Sequence, residues 1–304
     1  MRQGPPAMSS LTSSNAASVQ PPVRPEYERQ LESPGALAAA QPLSVPQRLW
    51  AQPVVRRVAI LAVLAALWQL LATWQDNDLL LPTFTQTLQA LWEGVASGEL
   101  LDKAAISLQV LVQGYVLGIV GALVLTTLAV STQLGRDVLT TLTSMFNPLP
   151  AIALLPLALL WFGLGQGSLL FVLVHSVLWP LSLNTYAGFQ AVPETLRMAG
   201  RNYGLKGVRY VLQILVPAAL PSILSGLKVA WAFAWRTLIA AELVFGASSG
   251  KGGLGWYIFQ NRNELYTDKV FAGLLTVIAI GLLVETLGFH TLERLTVRKW
   301  GTQR

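Results

Sequence analysis

The side chains that could carry out covalent chemistry are few in this 304-residue chain, and they are scattered. There is no cysteine, and the two histidines, His175 and His290, lack metal-ligand spacing. The ionisable residues at or near the depth of the apolar segments are His175, Arg236, Glu242 and Glu285. A membrane-embedded enzyme would need Asp, Glu, His or Ser side chains clustered in those segments. We therefore predict no catalytic residues and no metal site.

Two glycine-rich patterns resemble nucleotide-binding loops but stand in the wrong context. Residues 250–255 match G-x-G-x-x-G, yet they follow an apolar segment rather than a strand of a βαβ unit. Residues 246–251 resemble a phosphate-binding loop with one residue too few, and Gly252 occupies the Ser/Thr position. Both patterns predict a flexible outer loop. Because no phosphate-binding loop is present, the energy for any transport must come from another subunit or from an ion gradient.

The composition is that of a membrane protein. The chain is 53% hydrophobic and 12% charged, against about 25% charged residues in soluble domains. The net charge of +6 does not indicate nucleic-acid binding, because the arginines border apolar runs instead of forming one patch. Six apolar stretches can each cross a bilayer core of about 30 Å, and the third is broken by prolines. They are residues 58–74, 106–130, 139–162, 169–189, 223–245 and 270–289.

The distribution of basic residues predicts how these six helices are oriented. Lysine and arginine favour the cytoplasmic side, and alternate loops of this chain are rich in them. The predicted cytoplasmic set includes Arg56, Arg57, Arg136, Arg197, Arg201, Lys206, Arg209 and Arg294. Both termini are then cytoplasmic. Residues 1–47, rich in Pro, Ser, Ala and Gln, predict a disordered tail before a membrane domain of residues 48–304. Residues 85–94 predict a short amphipathic helix at the interface.

A polar, basic helix is predicted at about residues 193–204, between the fourth and fifth apolar stretches. Pro193 and Glu194 suit its first turn, and Gly204 can end it in a left-handed conformation. Leu196, Ala199 and Tyr203 recur at helical spacing as one apolar stripe. Such a helix can lie on a lipid surface or enter a groove on a soluble partner.

The spacing favours the groove, because the segment resembles the cytoplasmic loop of ABC-importer permeases. That motif is written EAA-x3-G-x9-I-x-L-P. Met198-Ala199-Gly200 stands where EAA belongs, Gly204 is the motif glycine, and Ile214 is the isoleucine. Val216-Pro217 replaces Leu-Pro. Permeases for nitrate, sulfonates and taurine look similar, including the downstream segment 217–227.

The resemblance implies a fold, a set of partners and a mechanism. The fold is the all-α type I ABC importer permease with six transmembrane helices. The partners are two cytoplasmic ABC ATPases, an external solute-binding protein and a second permease, which we expect to be a second copy of this chain. The complex is expected in the bacterial inner membrane. ATP and Mg bind the ATPases, and this chain binds no cofactor. The motif helix couples ATPase closure to alternating access. The coupling residues it implies are Glu194, Arg197, Met198, Ala199, Gly200, Arg201, Gly204, Ile214 and Pro217.

Two apolar stretches carry polar residues that predict a translocation pathway. In the fifth, Trp231, Trp235 and Glu242 share one helical face, and Arg236 lies about a quarter turn away near mid-membrane. Arg236 either helps anions to pass or pairs with a carboxylate on another helix. In the fourth, His175 and Trp179 share a face; the histidine either contacts solute or is a packing residue. The predicted pathway set is His175, Trp179, Trp231, Trp235, Arg236 and Glu242.

The second stretch contains Gly114-x-x-x-Gly118, which predicts close helix packing. The alternative function is an ion-gradient-driven secondary transporter, which would need no docking motif and would often contain an internal repeat. No clear repeat is present. The resemblance to nitrate, sulfonate and taurine permeases suggests a small anion as the solute.

Overall fold

A computed structural model describes residues 50–245 and 252–298, and every regular element in these ranges is helical. The chain divides into two contact units, Met1–Ala59 and Ile60–Arg304. Of the first unit, only residues 50–59 are described, and they include the start of the first helix. The predicted N-terminal tail, residues 1–47, lies outside the described residues.

Among the described residues, five helices are long and apolar enough to cross a membrane: α1 (Pro53–Gln75), α3 (Glu99–Ser131), α6 (Gln166–Gln190), α9 (Leu220–Phe245) and α11 (Thr267–Thr296). A sixth crossing is obtained if α4 and α5, which meet at an angle, are counted as one span. The bounds are α1 Pro53–Gln75, α2 Phe84–Ala96, α3 Glu99–Ser131, α4 Gln133–Phe146, α5 Ala151–Phe162, α6 Gln166–Gln190, α7 Glu194–Asn202, α8 Gly207–Ala218, α9 Leu220–Phe245, α10 Leu254–Asn263 and α11 Thr267–Thr296.

The third apolar stretch is not one straight helix. Its halves, α4 and α5, are bent by 90° relative to each other. The break falls at residues 147–150, where Pro148 and Pro150 each lack the N–H that a continuing helix needs. Pro156 does not break α5, because it lies in the first turn of its α-helical part, where that N–H would be unpaired in any case.

The short interfacial helix is present as α2. Thr83 caps its N-terminus: the Thr83 hydroxyl accepts the Gln86 N–H at 3.2 Å, and the Gln86 side chain accepts the Thr83 N–H at 2.7 Å. This reciprocal pair satisfies two N–H groups that would otherwise have no partner. The prediction of a helix at 85–94 is therefore confirmed, with slightly wider bounds.

The core of Ile60–Arg304 is formed by α6, which packs against α3 on one side and α9 on the other. Two glycines of α3 allow the first contact. A Cβ on Gly114 would lie 2.6 Å from the Cβ of Leu173, and a Cβ on Gly118 would lie 2.6 Å from the Cβ of Val177. Side chains at these positions would push the helices apart, so the predicted close packing is confirmed.

The outward surfaces of the long helices are apolar. In α1 only Ala72 is buried, and residues such as Leu61 and Leu70 are largely exposed. Soluble proteins rarely leave so large an apolar surface uncovered. A lipid bilayer would cover it, as the composition predicts.

Candidate functional site

Helix α7 begins and ends where the sequence predicts. Glu194 is its first residue and lies at the positive end of the helix. At the other end, Gly204 has φ +74°. The Gly204 N–H donates to the Arg201 carbonyl at 2.9 Å, and the Leu205 N–H donates to the Gly200 carbonyl at 3.1 Å. These two bonds form a Schellman motif, which requires a left-handed residue at the position of Gly204.

One side of α7 is packed against α8 through two positions of the sequence motif. Gly200 is buried. A Cβ on Gly200 would lie 2.9 Å from Ile214 Cγ1 and 3.1 Å from the ring of Tyr210. Pro217, the last motif position, is half-buried near the end of α8. The motif spacing therefore brings the small residue of α7 and the isoleucine of α8 into contact.

Arg197 attaches the same side of α7 to the end of α6. Its side chain is 17% exposed. Its Nε donates to the Val192 carbonyl at 3.1 Å, and its Nη2 donates to the Phe189 carbonyl. These carbonyls lie at or just beyond the C-terminal end of α6, where helix carbonyls lack intrahelical partners. Arg197 thus holds α7 in place.

The other surfaces of α7 are not covered by the described residues. Leu196 is 46% exposed, Met198 is 49% exposed and Tyr203 is 85% exposed. Ala199 is also exposed. The predicted apolar stripe is therefore open, with the exposed Glu194–Arg201 pair beside it at 3.9 Å. An open apolar patch on a rigidly held helix is typical of a protein docking site.

A cavity of about 570 Å³ lies between the α4–α5 break, α6 and α9. Three residues of the predicted pathway line it: His175, Trp179 and Arg236. The ring of Trp179 stacks on Phe146 with centroids 5.3 Å apart, and His175 meets the same phenyl ring edge-on at 6.1 Å. The cavity wall therefore combines aromatic surface with one guanidinium group.

Polar atoms in this wall lack partners. Both ring nitrogens of His175 and the Nε1 of Trp179 are buried and have no hydrogen-bond partner among the described residues. Buried polar groups are normally paired, because leaving one unpaired costs about 1–3 kcal/mol. These groups could bond to water, to solute or to another chain in the cavity.

Arg236 is exposed on the surface of α9. Its Nε donates to the Ala232 carbonyl at 3.0 Å, and its guanidinium carbon lies 5.0 Å above the ring of Phe233. Within residues 50–245 and 252–298, no carboxylate forms an ion pair with it. The described part of the chain therefore does not support the alternative in which Arg236 pairs with an acidic residue.

Trp231 and Trp235 lie elsewhere, beside a smaller cavity of about 240 Å³ between α9 and α11. Trp235 is buried, and its Nε1 donates to the Val277 carbonyl at 3.3 Å. Trp231 is half-buried against Tyr115 and Phe289. Arg236 also lines this cavity, so it lies between the two spaces.

Glu242 lines neither of these two cavities. It is only 4% exposed, and its carboxylate is bonded to Ser107 and to the Gly255 N–H. The expectation that Glu242 borders the pathway on the same open face as the tryptophans therefore needs correction. Trp235 and Glu242 on this face are buried in the chain's own core, whereas Arg236 is exposed between the two cavities.

Several lining residues were absent from the sequence-based pathway set. They are Phe146, Asn147, Phe233 and Thr237. Phe146 and Asn147 could have been found from the sequence, because they come directly before Pro148 at the break that shapes the cavity. Phe233 lies one turn from Arg236, and only the correct orientation of α9 would have identified it.

Comparisons with known proteins identify the family of this chain. Residues 114–296 match the family model described as binding-protein-dependent transport system inner membrane component. The chain belongs to this family. It is an ABC transporter permease and a multi-pass membrane protein, and it is not the ATPase. The family implies ATPase and substrate-binding protein partners.

Individual relatives cover most of the chain. A provisionally named aliphatic sulfonates transport permease protein, SsuC of Escherichia coli, is 32% identical over 77% of this chain and 88% of its own. The taurine transport system permease protein TauC of E. coli is 30% identical over 81% and 91%. The nitrate import permease protein NrtB of Synechocystis is 27% identical over 78% and 87%. The predicted family resemblance is confirmed.

Proposed function

We propose that this chain is the pathway-forming permease of an ATP-driven importer for a small anion in a bacterial inner membrane. The observation that carries the proposal is the geometry of α7. Gly200 and Arg197 fix one side of α7 to the membrane helices, and Leu196, Met198 and Tyr203 remain open for a partner. A helix held in this way can transmit the movement of a docked ATPase to the spans.

The test compares the same change at two exposed leucines. Leu196 lies on α7 and is 46% exposed; Leu134, at the start of α4, is 74% exposed. Leu196→Glu is expected to abolish co-purification of the ATPase subunits, because it places a charge in an apolar groove. Leu134→Glu is expected to leave co-purification intact. Equal retention of the ATPase by both variants would contradict the docking role.

The solute route in this proposal passes the larger cavity. Arg236 supplies a positive charge without a carboxylate partner in the described residues, and His175 and Trp179 supply unpaired polar atoms. ATP and Mg act on the partner ATPases, and this chain contributes no cofactor site. When the ATPases close, they draw together the α7 helices of the two permease subunits, and the route opens outward. The binding protein then releases its solute into the route, and ATP hydrolysis resets the route inward.

A second copy of this chain completes the pathway in this proposal. Arg236 is exposed in the middle of α9, and facing lipid there would cost at least about 2.5 kcal/mol. The other permease must therefore cover the face of α9 around Arg236 and leave a water-filled route there. Lipid surrounds the remaining apolar faces. Native mass spectrometry of the purified complex should show one permease species in two copies; one copy with a different permease would overturn the homodimer.

The solute is proposed to be a small anion of the sulfonate, taurine or nitrate type. The cationic and aromatic wall of the cavity supports this class, since the guanidinium group can bind oxyanions in a bidentate manner. Uptake of each anion into proteoliposomes that contain the whole importer would identify it. Uptake that persists without ATP but stops when the ion gradient is collapsed would instead favour the secondary transporter.

A further inference from the structure

The glycine-rich run at residues 250–255, which resembles a nucleotide-binding loop, ends in three residues that are packed inside the protein. Residues 246–251 lie outside the described residues, but Gly253, Leu254 and Gly255 are all buried. The run leads directly into helix α10, and Gly253 is the residue at its N-cap. The expectation of a flexible loop therefore does not hold for residues 253–255.

Two side chains from other helices bind the start of α10. Ser107 of α3 and Glu242 of α9 are both buried, at 0% and 4% exposure. The Ser107 hydroxyl accepts the Leu254 N–H at 2.8 Å and donates to the Glu242 carboxylate, at 2.8 Å from Oε2. The same carboxylate oxygen accepts the Gly255 N–H at 2.8 Å. Because Gly253 has no side chain, Ser107 and Glu242 together do the work of a helix cap.

The two glycines are required by the closeness of this contact. A Cβ on Gly253 would lie 2.2 Å from Ser107 Oγ and 2.4 Å from Glu242 Oε1. A Cβ on Gly255 would lie 2.6 Å from the backbone oxygen of Ile239. The start of α10 thus lies directly against the end of α9, and no larger residue fits between them.

A carboxylate suits this position better than an amide. The groups that face Glu242 are two donors, the Ser107 hydroxyl and the Gly255 N–H. Both bond to acceptor oxygens, and the N-terminus of a helix favours negative charge. A glutamine could place its one oxygen at the position of Oε2, but it would remove the negative charge from the start of α10 and put an NH₂ group where Oε1 lies 2.9 Å from Ser107 Oγ.

We propose that Glu242, together with Ser107, is a positioning residue that fixes α10 to the end of α9, so that the two helices move as one body during transport. The proposal goes beyond the importer function and uses it only for the transport cycle. Helix α9 carries Arg236, and α10 also packs against α11, where Ile258 faces Gly273. In the proposed orientation α10 lies on the outer side, so this contact would link movement of the pathway helix to the outer surface.

The test uses cysteine probes, since the native chain contains no cysteine. Ile258 of α10 is 5% exposed. We expect Ile258→Cys to react slowly with a membrane-impermeant maleimide in the complete importer in nanodiscs, both without nucleotide and after trapping with ATP and vanadate. Added to this probe, Glu242→Gln and Ser107→Ala should each raise the reaction rate about tenfold or more. Glu264→Gln, which removes an exposed carboxylate at the other end of α10, should leave the rate unchanged.

A second probe separates release of α10 from loss of the fold. Ala234 is fully buried in the middle of α9, and Ala234→Cys should stay unreactive in all three variants. If Glu242→Gln makes both cysteines reactive, the fold itself has been lost in that variant. The Ser107→Ala variant then provides the test, because it removes only one hydroxyl group. An unchanged rate at position 258 in Ser107→Ala, with position 234 protected, would overturn the proposal. Rapid labelling of Ile258→Cys in the importer trapped with ATP and vanadate, with Glu242 and Ser107 unchanged, would also overturn the proposal.

A functional readout completes the test. In Glu242→Gln, the ratio of binding-protein-stimulated to basal ATP hydrolysis should fall at least severalfold, while Glu264→Gln keeps the unmodified ratio. An unchanged ratio together with unchanged labelling at position 258 rejects the positioning role. The labelling does not depend on which solute is carried, so it remains informative if the importer proves not to transport an anion.

Discussion

Gly200 of α7 lies so close to Ile214 of α8 that a Cβ on the glycine would be 2.9 Å from Ile214 Cγ1. The sequence motif that identifies the family has a fixed spacing between these two positions. Here that spacing places α7 directly on α8, and a side chain at position 200 would have to displace Ile214 or Tyr210. Rotation of α7 would therefore have to displace α8, which leads into α9 through Ala219 alone.

The first prediction tests this contact by a double-mutant cycle. Gly200→Val should weaken solute-stimulated ATP hydrolysis strongly, because its branched side chain must displace both Ile214 and the ring of Tyr210. Gly200→Ala should lower this hydrolysis less. Adding Ile214→Val to Gly200→Ala should restore part of the lost activity, because valine is shorter than isoleucine. We expect a coupling energy of about 0.5–3 kcal/mol between the two positions. Strict additivity of the two single effects would show that they do not act through contact.

The second prediction concerns Gly204 and has a matched control in the chain. Gly204 and Gly98 have φ angles of +74° and +82°, and a Cβ at either position would meet no atom within 4 Å. Valine at either position should therefore destabilise the protein through backbone strain alone, by about 1–2 kcal/mol. Only Gly204→Val should uncouple ATP hydrolysis from uptake, because it alters the end of α7.

Gly204→Asn should retain most of the coupling, since asparagine tolerates a left-handed conformation. Uptake and ATP hydrolysis in proteoliposomes measure the coupling, and thermal unfolding measures the stability. Uncoupling by Gly98→Val to the same extent would mean that general destabilisation, and not the end of α7, causes the defect.

Local features of the fold followed from the sequence. The ends of α7 and the left-handed Gly204 depend on residues close together in the chain, and the spacing of Gly114 and Gly118 alone marks a face for close packing; all three predictions are confirmed. The rotation of α9 about its axis could not be predicted from the sequence in the same way. Hydropathy placed Arg236 at mid-depth, but it could not say which neighbours cover each face.

The contacts of Glu242 show why. Its partner Ser107 is 135 residues away in the sequence, and the Gly255 N–H belongs to a segment that reads as a loop. No periodicity within one helix reports such a contact. The 90° bend between α4 and α5 was only partly predictable: the prolines locate the break, but the angle depends on how the two halves pack.

The third prediction compares three glycines of α3. A Cβ at Gly118 would lie 2.6 Å from the Cβ of Val177, whereas a Cβ at Gly121 would lie 3.1 Å from the tip of the Leu178 side chain. Gly118→Ala and Gly114→Ala should each lower stability by about 1–3 kcal/mol through overpacking. Gly121→Ala should be neutral or stabilising, because alanine favours the helix over glycine by about 1 kcal/mol. Thermal unfolding of the detergent-purified protein measures the difference, and equal effects at positions 118 and 121 would contradict the packing geometry.

The last prediction concerns which face of α9 meets the solute route. Phe233, Arg236 and Thr237 line the larger cavity, whereas Ala234, Leu238 and Ala241 are completely buried in the core. Cysteines at the first three positions should react with small water-soluble thiol reagents in at least one state of the cycle, and cysteines at the other three should not. Position 242 should be protected as well, because its carboxylate is enclosed by Ser107 and Gly255. Solute should slow the reaction at 236 if the anion approaches the guanidinium group. Reaction at 234 and 238 with protection at 233 and 237 would mean that α9 is turned by half a rotation relative to the structure, and the solute route would then lie on the side of Trp235.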